Sequence, residues 1–396
     1  MNLSYLLELD DLAKKQTAEF KKTRYAFTEL VKQSQGKHYT GIIGSRGGGK
    51  TILLKQLAAT QKNSFYISCD TLKDDLFETI KEINSKLKIE SFLLDEIHFY
   101  TGFEEALKKA YDFLNIKIVF TSSVSLALWK SSYDLSRRIV LQKLYPFSFR
   151  EFLDFKYGVK LKQLDLTEIV NNTYDKAQLK NYGYFAEYIS SGILPFALDE
   201  IDPLKILNNI LNTIINKDIP RIGKIDISEI EKIEKMISFI GKSEIDGINY
   251  TSLSNNLKIT KYKAEQYIDL LEKAFVLNRV MPKGTNVLKE PKIVMSLPYR
   301  LLFRDIDQCV GGLREDFFVE SMRMLDMEIS YLKNKRGAKT PDYILEINDR
   351  KIICEVGGKT KGTEQFKGID IKEKLVFADG IDSADPKRPL MTVGLC

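Results

Sequence analysis

The chain has 396 residues, with 60 basic against 54 acidic side chains, a net charge of +6 and 44% hydrophobic residues. That is the balance of a globular protein, and the length predicts two to four domains. No apolar run approaches the roughly 18 residues that a membrane helix needs, so a bilayer-spanning protein is excluded as an expectation.

In chain order, residues 3 to 34 carry apolar residues at helical spacing, from Leu3, Leu6 and Leu7 to Leu30 and Val31, which predicts helices over 1–35. The opening MNLSYLLELDDLAKK mixes acids with its leucines and lacks a basic-then-apolar signal pattern, so a cytoplasmic location is expected. Tyr39 to Ile43 reads as a short buried strand. It runs into Gly44-Ser45-Arg46-Gly47-Gly48-Gly49-Lys50-Thr51, a full match to G-x-x-x-x-G-K-[ST], and Ile52 then continues a helix. The chemistry needs this spacing. Glycines let the backbone curl so that several N–H groups face one phosphate, the lysine reaches the β- and γ-phosphates, and the threonine hydroxyl holds Mg²⁺. The expected ligands are therefore the phosphates of a nucleotide and Mg²⁺, bound at the N-terminus of a helix.

Beyond this loop, helix and strand alternate. Strands are expected at 65–69, 91–96, 116–123 and 138–142, with helices at 73–87 and 104–114, a pattern that predicts a parallel sheet covered by helices. Chemistry gathers at the carboxyl ends of such strands. Asp95 follows Phe92-Leu93-Leu94 and is the candidate Mg²⁺ ligand; Glu96 is the candidate general base. The next strand ends in Thr121-Ser122-Ser123. Ser122 is the candidate hydroxyl for water or γ-phosphate, set against a plain cap for a helix around Leu126-Ala127-Leu128. Arg138 is the candidate phosphate-reaching arginine, in its own subunit or across the interface of a homo-oligomer. His98 reads either as a nucleotide sensor or as a satisfied structural histidine.

The segments GSRGGGKT, FLLDEIH, FTSS and RRIVLQKLYPFSFREFL, in this order, resemble the bacterial and archaeal AAA-type ATPases that carry a C-terminal nuclease-like domain. The run Pro146 to Phe152, preceded by Arg138, is the most family-specific piece, and Arg46 in the loop is also typical. The resemblance implies ATP binding and hydrolysis with Mg²⁺ in a core spanning 36–150, followed by a helical lid over 151–226 that senses nucleotide.

From 227 to 298 the pattern is helix, short turn, helix, then strands, which is the signature of a winged helix-turn-helix. Lys261, Tyr262 and Lys263 open its third helix, where a DNA reader places its contacts; the alternative is an interdomain packing unit. Residues 299–396 carry two strands, Thr340 to Ile347 and Arg350 to Val356, around the two-residue turn Asn348-Asp349. That turn sets Asp342 opposite Glu355. Like charges so placed are unfavourable unless a cation neutralises them, which makes the two acids a candidate second metal pair. Pro341-Asp342 with Glu355 resembles the PD-(D/E)xK nucleases, with Glu315 or Glu320 as a third acid. The lysine that this resemblance expects two residues after Glu355 is Gly357. Lys359 either returns to the site over a bulge, or the fold is retained for binding DNA or a protein partner.

Overall fold

The computed structural model describes residues 3–125, 135–223, 225–243, 248–283, 290–332 and 341–396. Two compact units divide the chain, residues 1–146 and 147–396.

The first unit opens with α1 (Leu3–Gln16) and α2 (Phe27–Ser34) and then alternates β1 (Tyr39–Ile43), α3 (Lys50–Thr60), β2 (Ser64–Ser68), α4 (Leu76–Leu87), β3 (Ser91–Asp95), α5 (Phe103–Phe113), β4 (Lys117–Ser122) and β5 (Ile139–Lys143). The five strands are all parallel, in the order β2-β3-β4-β1-β5. Expected and observed strands agree to within a residue or two. The expected helix around Leu126-Ala127-Leu128 lies outside the described residues.

Alternation along each strand explains why the sheet needs helices on both faces. Phe65, Ile67, Phe92, Leu94, Ile118 and Phe120 point into one core, shared with Leu76, Ile80 and Ile83 of α4 and Leu107 and Ala110 of α5. Their neighbours Tyr66, Leu93 and Val119 point the other way, onto Leu53, Leu54 and Leu57 of α3 and Leu30 of α2. A strand buried on both faces reads as an unbroken apolar run, and FLLD is one. Asp75 starts α4 by accepting from the Glu78 amide at 2.8 Å.

The second unit begins with helical segments, among them α6 (Phe149–Tyr157), α7 (Leu166–Val170) and α8 (Pro203–Thr213). The segment read from sequence as a lid buries its aromatic residues on a later helix. Phe185 and Tyr188 meet Phe317 edge to face, at 5.0 and 6.0 Å between ring centres. Three helices follow, α9 (Ile227–Lys242), α10 (Tyr250–Leu257) and α11 (Lys261–Lys273), then β6 (Leu277–Pro282) and β7 (Lys292–Met295), paired antiparallel. Thr260 caps α11 through the Lys263 amide, as its sequence implies. Helix α12 (Ile306–Met324) leads to β8 (Ile329–Tyr331), β9 (Tyr343–Ile347), β10 (Arg350–Gly357), β11 (Glu373–Ala378) and β12 (Lys387–Pro389). The sequence pattern places β6 and β7 in a module apart from the C-terminal strands. In the structure β6 pairs with β8, giving one mixed sheet in the order β12-β11-β10-β9-β8-β6-β7. The β6–β8 link joins strands some 50 residues apart, and such a non-local pairing leaves no mark on local periodicity.

A buried ion pair pins α12 to the turn that precedes it. Arg300 Nε and Nη2 donate to Asp316 at 2.6 and 2.8 Å, and the Met295 amide donates to the same carboxylate at 3.2 Å. Removing one partner strands the other charge. Arg300→Met is expected to cost about 3–5 kcal/mol of stability, measured by denaturant unfolding; a loss within experimental error refutes the pair's role.

Among the described residues no helix is long and apolar enough to cross a membrane. All four cysteines are free thiols.

Candidate functional site

The phosphate loop sits between β1 and α3, flanked by the carboxyl ends of β4 and β5. The Gly44 amide donates to Ser122 O at 3.3 Å, and the Leu144 amide donates to Ile43 O at 2.7 Å. Gly44 must be glycine, because a Cβ there would lie 2.1 Å from the Leu144 carbonyl oxygen. Gly47 and Gly49 turn the loop through positive φ of 76° and 88°. The buried Lys50 ammonium lies in the resulting curl and donates to Gly44 O and Ser45 O, both at 2.9 Å. Ser45 Oγ is buried with no hydrogen-bond partner among the described residues. Arg46 places its guanidinium 5.5 Å from the Phe99 ring centre. Ile52 follows Thr51 in the first turn of α3.

Arg24, from the segment between α1 and α2, was not anticipated. Its guanidinium donates to Gly48 O at 2.8 Å and to Tyr145 O and Pro146 O at 2.9 and 3.2 Å, bracing the loop from behind.

Thr51 and Asp95 come together, with Thr51 Oγ1 donating to Asp95 Oδ1 at 3.2 Å. Asp95 also accepts from Thr121 Oγ1 at 2.5 Å and from the Tyr66 hydroxyl at 2.8 Å. Burial pushes its carboxyl above the ordinary range; the Thr121 hydrogen bond opposes this, and neighbouring Glu96 adds to it. Glu96 holds a left-handed backbone at φ 50°, and its amide donates to Thr121 Oγ1 at 2.8 Å. Ser123 Oγ donates to Glu96 Oε2 at 3.2 Å. Ser122, the hydroxyl chosen from sequence, donates instead to Val124 O at 2.7 Å and faces His98 Nδ1 at 3.3 Å. Of the Thr121-Ser122-Ser123 run, the hydroxyls that reach the two acids are those of Thr121 and Ser123. Adjacent strand residues point to opposite faces, and the sequence could not say which parity meets the acids.

The structure keeps Arg138 apart from this group. Its carbonyl accepts from the Tyr39 amide, at the start of β1 and thus at the end of that strand away from Gly44. Its side chain grips Asp112 through two hydrogen bonds of 2.9 and 3.1 Å. Arg138 therefore does not join the loop of its own subunit.

In the second unit the expected hairpin register holds. Ile347 pairs with Arg350 and Glu346 with Lys351, and the ladder runs to Tyr343 and Cys354, the residues next to Asp342 and Glu355. Asp342 accepts from the Val356 amide at 2.8 Å. Lys361 Nζ lies 2.6 Å from Glu355 Oε2 and 3.5 Å from Asp342 Oδ2. Burial, reinforced by Asp342 and opposed by Lys361, raises the Glu355 carboxyl to about 7. The lysine of this cluster is Lys361, not Lys359, whose side chain runs past Gly380. Gly357 explains the exchange: a Cβ there would meet the Lys361 stem at 2.7 Å, so the missing side chain is the space through which Lys361 reaches the acids. The candidates for a third acid are engaged elsewhere. Glu315 accepts from Lys292 and Tyr343, and Glu320 from Asn278. Among the described residues no group of three or more His, Cys, Asp or Glu is placed to hold a metal. On α11, Lys261 is ion-paired with Glu290 and Lys263 with Glu229.

Residues 36–153 match the family described as AAA domain, and residues 182–305 match a domain of unknown function (DUF8612). The uncharacterized protein MJ1637 of Methanocaldococcus jannaschii is 32% identical over 386 residues, covering 87% of this chain and 80% of that one. The chain belongs to the MJ1637 family. An uncharacterized protein of Haemophilus influenzae is 28% identical over 259 residues, 59% of this chain and 60% of its own. The Walker-type ATPase PABY2304 of Pyrococcus abyssi aligns at a TM-score of 0.44 and 16% identity, over 70% of this chain and 94% of that one. In this member of the MJ1637 family the match to the AAA domain, over residues 36–153, takes in the loop, Asp95, Glu96 and the Thr121–Ser123 run.

Proposed function

We propose that this AAA protein binds and hydrolyses ATP with Mg²⁺. The observation that carries the reading is the meeting of Thr51, Asp95 and the Lys50 loop at the carboxyl ends of β1 and β3. The donors fit a hard divalent cation: a hydroxyl and a carboxylate oxygen 3.2 Å apart, with the orphaned Ser45 hydroxyl in the neighbouring loop. Magnesium, held by Thr51 and Asp95, would neutralise charge on the phosphates. Lys50 would exchange its two loop carbonyls for phosphate oxygens, and loop amides from Gly44 to Ile52 would cradle the rest. Glu96 would take the proton of the attacking water, with Ser123 fixing its carboxylate. The test is ATP turnover with Mg²⁺, with and without single- and double-stranded DNA. Absence of turnover in every condition refutes the reading.

A second reading concerns the other unit, where Asp342, Glu355 and Lys361 converge. Two carboxylates beside one ammonium suit metal-dependent phosphodiester chemistry, with DNA as the substrate or bound partner. The paired state of Lys261 and Lys263 gives α11 little free charge for a DNA backbone, so this reading rests on the acids. Because Glu355 titrates near neutrality, a cation competes with its proton. The thermal shift produced by Mn²⁺ is expected to grow from pH 6 to pH 8, and Asp342→Ala is expected to remove that growth. A shift equal at both pH values, or unchanged in the variant, overturns the assignment.

A further inference from the structure

We infer that His98 is a positioning residue for Glu96, a role that rests on the ATPase reading above. His98 is buried in the short turn Ile97–Phe99 that follows β3, so its ring cannot swing freely. Every polar atom of the imidazole meets the residues beside the acids. Nδ1 lies 3.3 Å from Glu96 Oε2 and 3.3 Å from Ser122 Oγ; Nε2 lies 3.3 Å from Ser123 Oγ. Ser122 already spends its proton on Val124 O, so its oxygen faces the ring as an acceptor. A neutral ring with its proton on Nδ1 thus shares that proton between Glu96 and Ser122, and Nε2 competes with Glu96 Oε2 for the single Ser123 hydroxyl proton. The Ser123 hydroxyl has its own second acceptor in Glu96 Oε2 at 3.2 Å.

Glu96 is therefore held by the imidazole N–H, and by the Ser123 hydroxyl when its proton turns from Nε2 to the carboxylate. This matters because the residue is otherwise poorly restrained. Its left-handed backbone is uncommon for a non-glycine residue, and its side chain keeps partial solvent access. A general base works only within hydrogen-bond reach of its water, so a carboxylate free to swing loses rate. The clamp also has an outward connection. Phe99 packs against the His98 ring at 4.4 Å between centres, and Arg46 of the phosphate loop lies over Phe99 at 5.5 Å. Loop, aromatic ring, imidazole and base form one chain of contacts, so a nucleotide that draws Arg46 acts on the packing behind Glu96.

The experiment is steady-state ATP turnover and nucleotide affinity for wild type, His98→Ala, His98→Asn, Glu96→Gln and the double variant His98→Ala/Glu96→Gln. His98→Ala is expected to lower kcat on the order of tenfold or more, with ATP affinity unchanged. Retained affinity also reports that the variant folds. Asparagine carries an amide nitrogen near the place of Nδ1, so His98→Asn is expected to recover part of the rate. In the Glu96→Gln background, His98→Ala is expected to change nothing further, because both act through one carboxylate. A normal kcat in His98→Ala, or equal losses in kcat and affinity, overturns the positioning role while leaving the ATPase reading intact. A wild type without turnover removes both.

Discussion

Lys50→Ala is expected to weaken ATP binding on the order of a hundredfold, equivalent to about 3 kcal/mol. The side chain is buried, and its ammonium already sits in the loop with two acceptors at 2.9 Å, the Gly44 and Ser45 carbonyls. Those are weak substitutes for phosphate oxygens. Each charge-assisted contact to an anion in a partly desolvated curl is worth about twice a neutral one. Truncation removes the ammonium that the curl holds and leaves the loop amides with a larger share of a polyanion. The fold should tolerate the change: Gly44, Gly47 and Gly49 set the loop by backbone shape, and Arg24 braces it through Gly48 O and the Tyr145 and Pro146 carbonyls. The measurement is calorimetric titration with ATP–Mg²⁺, beside a thermal melt of the nucleotide-free protein. An unchanged melt with affinity lost is the expected pair of results. Wild-type affinity in Lys50→Ala refutes the assignment of this loop as the triphosphate site.

Local signals explain which parts could be read in advance. The loop, its flanking strand and helix and the acids of β3 are written in contiguous residues, because a tight anion-binding curl needs fixed spacing and a doubly buried strand needs an apolar run. The hairpin register at Asn348-Asp349 was legible for the same reason. A two-residue turn fixes every pair after it, and the pairs run as expected as far as Tyr343 and Cys354, next to Asp342 and Glu355. What stayed hidden depends on long-range placement. Lys361 replaces the expected lysine because its stem crosses Gly357, a packing fact that spacing does not encode. Arg24 acts on residues 121 and 122 positions away. Arg138 lies near the loop's strands in sequence, yet its carbonyl meets Tyr39 at the end of β1 away from Gly44 and its side chain binds Asp112, which keeps it from the loop of its own subunit. The choice between Ser122 and its two neighbours turned on one step of strand parity.

Glu96→Gln is expected to stop turnover while leaving nucleotide binding intact, with kcat falling on the order of a hundredfold to ten-thousandfold. The two side chains have the same shape, so the backbone at φ 50° meets no new steric demand. An amide oxygen can still accept from Ser123 Oγ, which now donates to Oε2 at 3.2 Å. What is lost is the lone pair basic enough to take a proton from water. Asp95 does not replace it, since its oxygens are committed to Thr51, Thr121 and Tyr66. Its removal should therefore separate catalysis from binding: ATP affinity within about twofold of wild type, and a complex that keeps its triphosphate. Single-turnover measurement with labelled ATP distinguishes this from slow product release, because a blocked chemical step gives no burst. Should Glu96→Gln hydrolyse ATP at the wild-type rate, the base is another residue, and the hydroxyl and imidazole around Glu96 serve only to keep the turn after β3 in place.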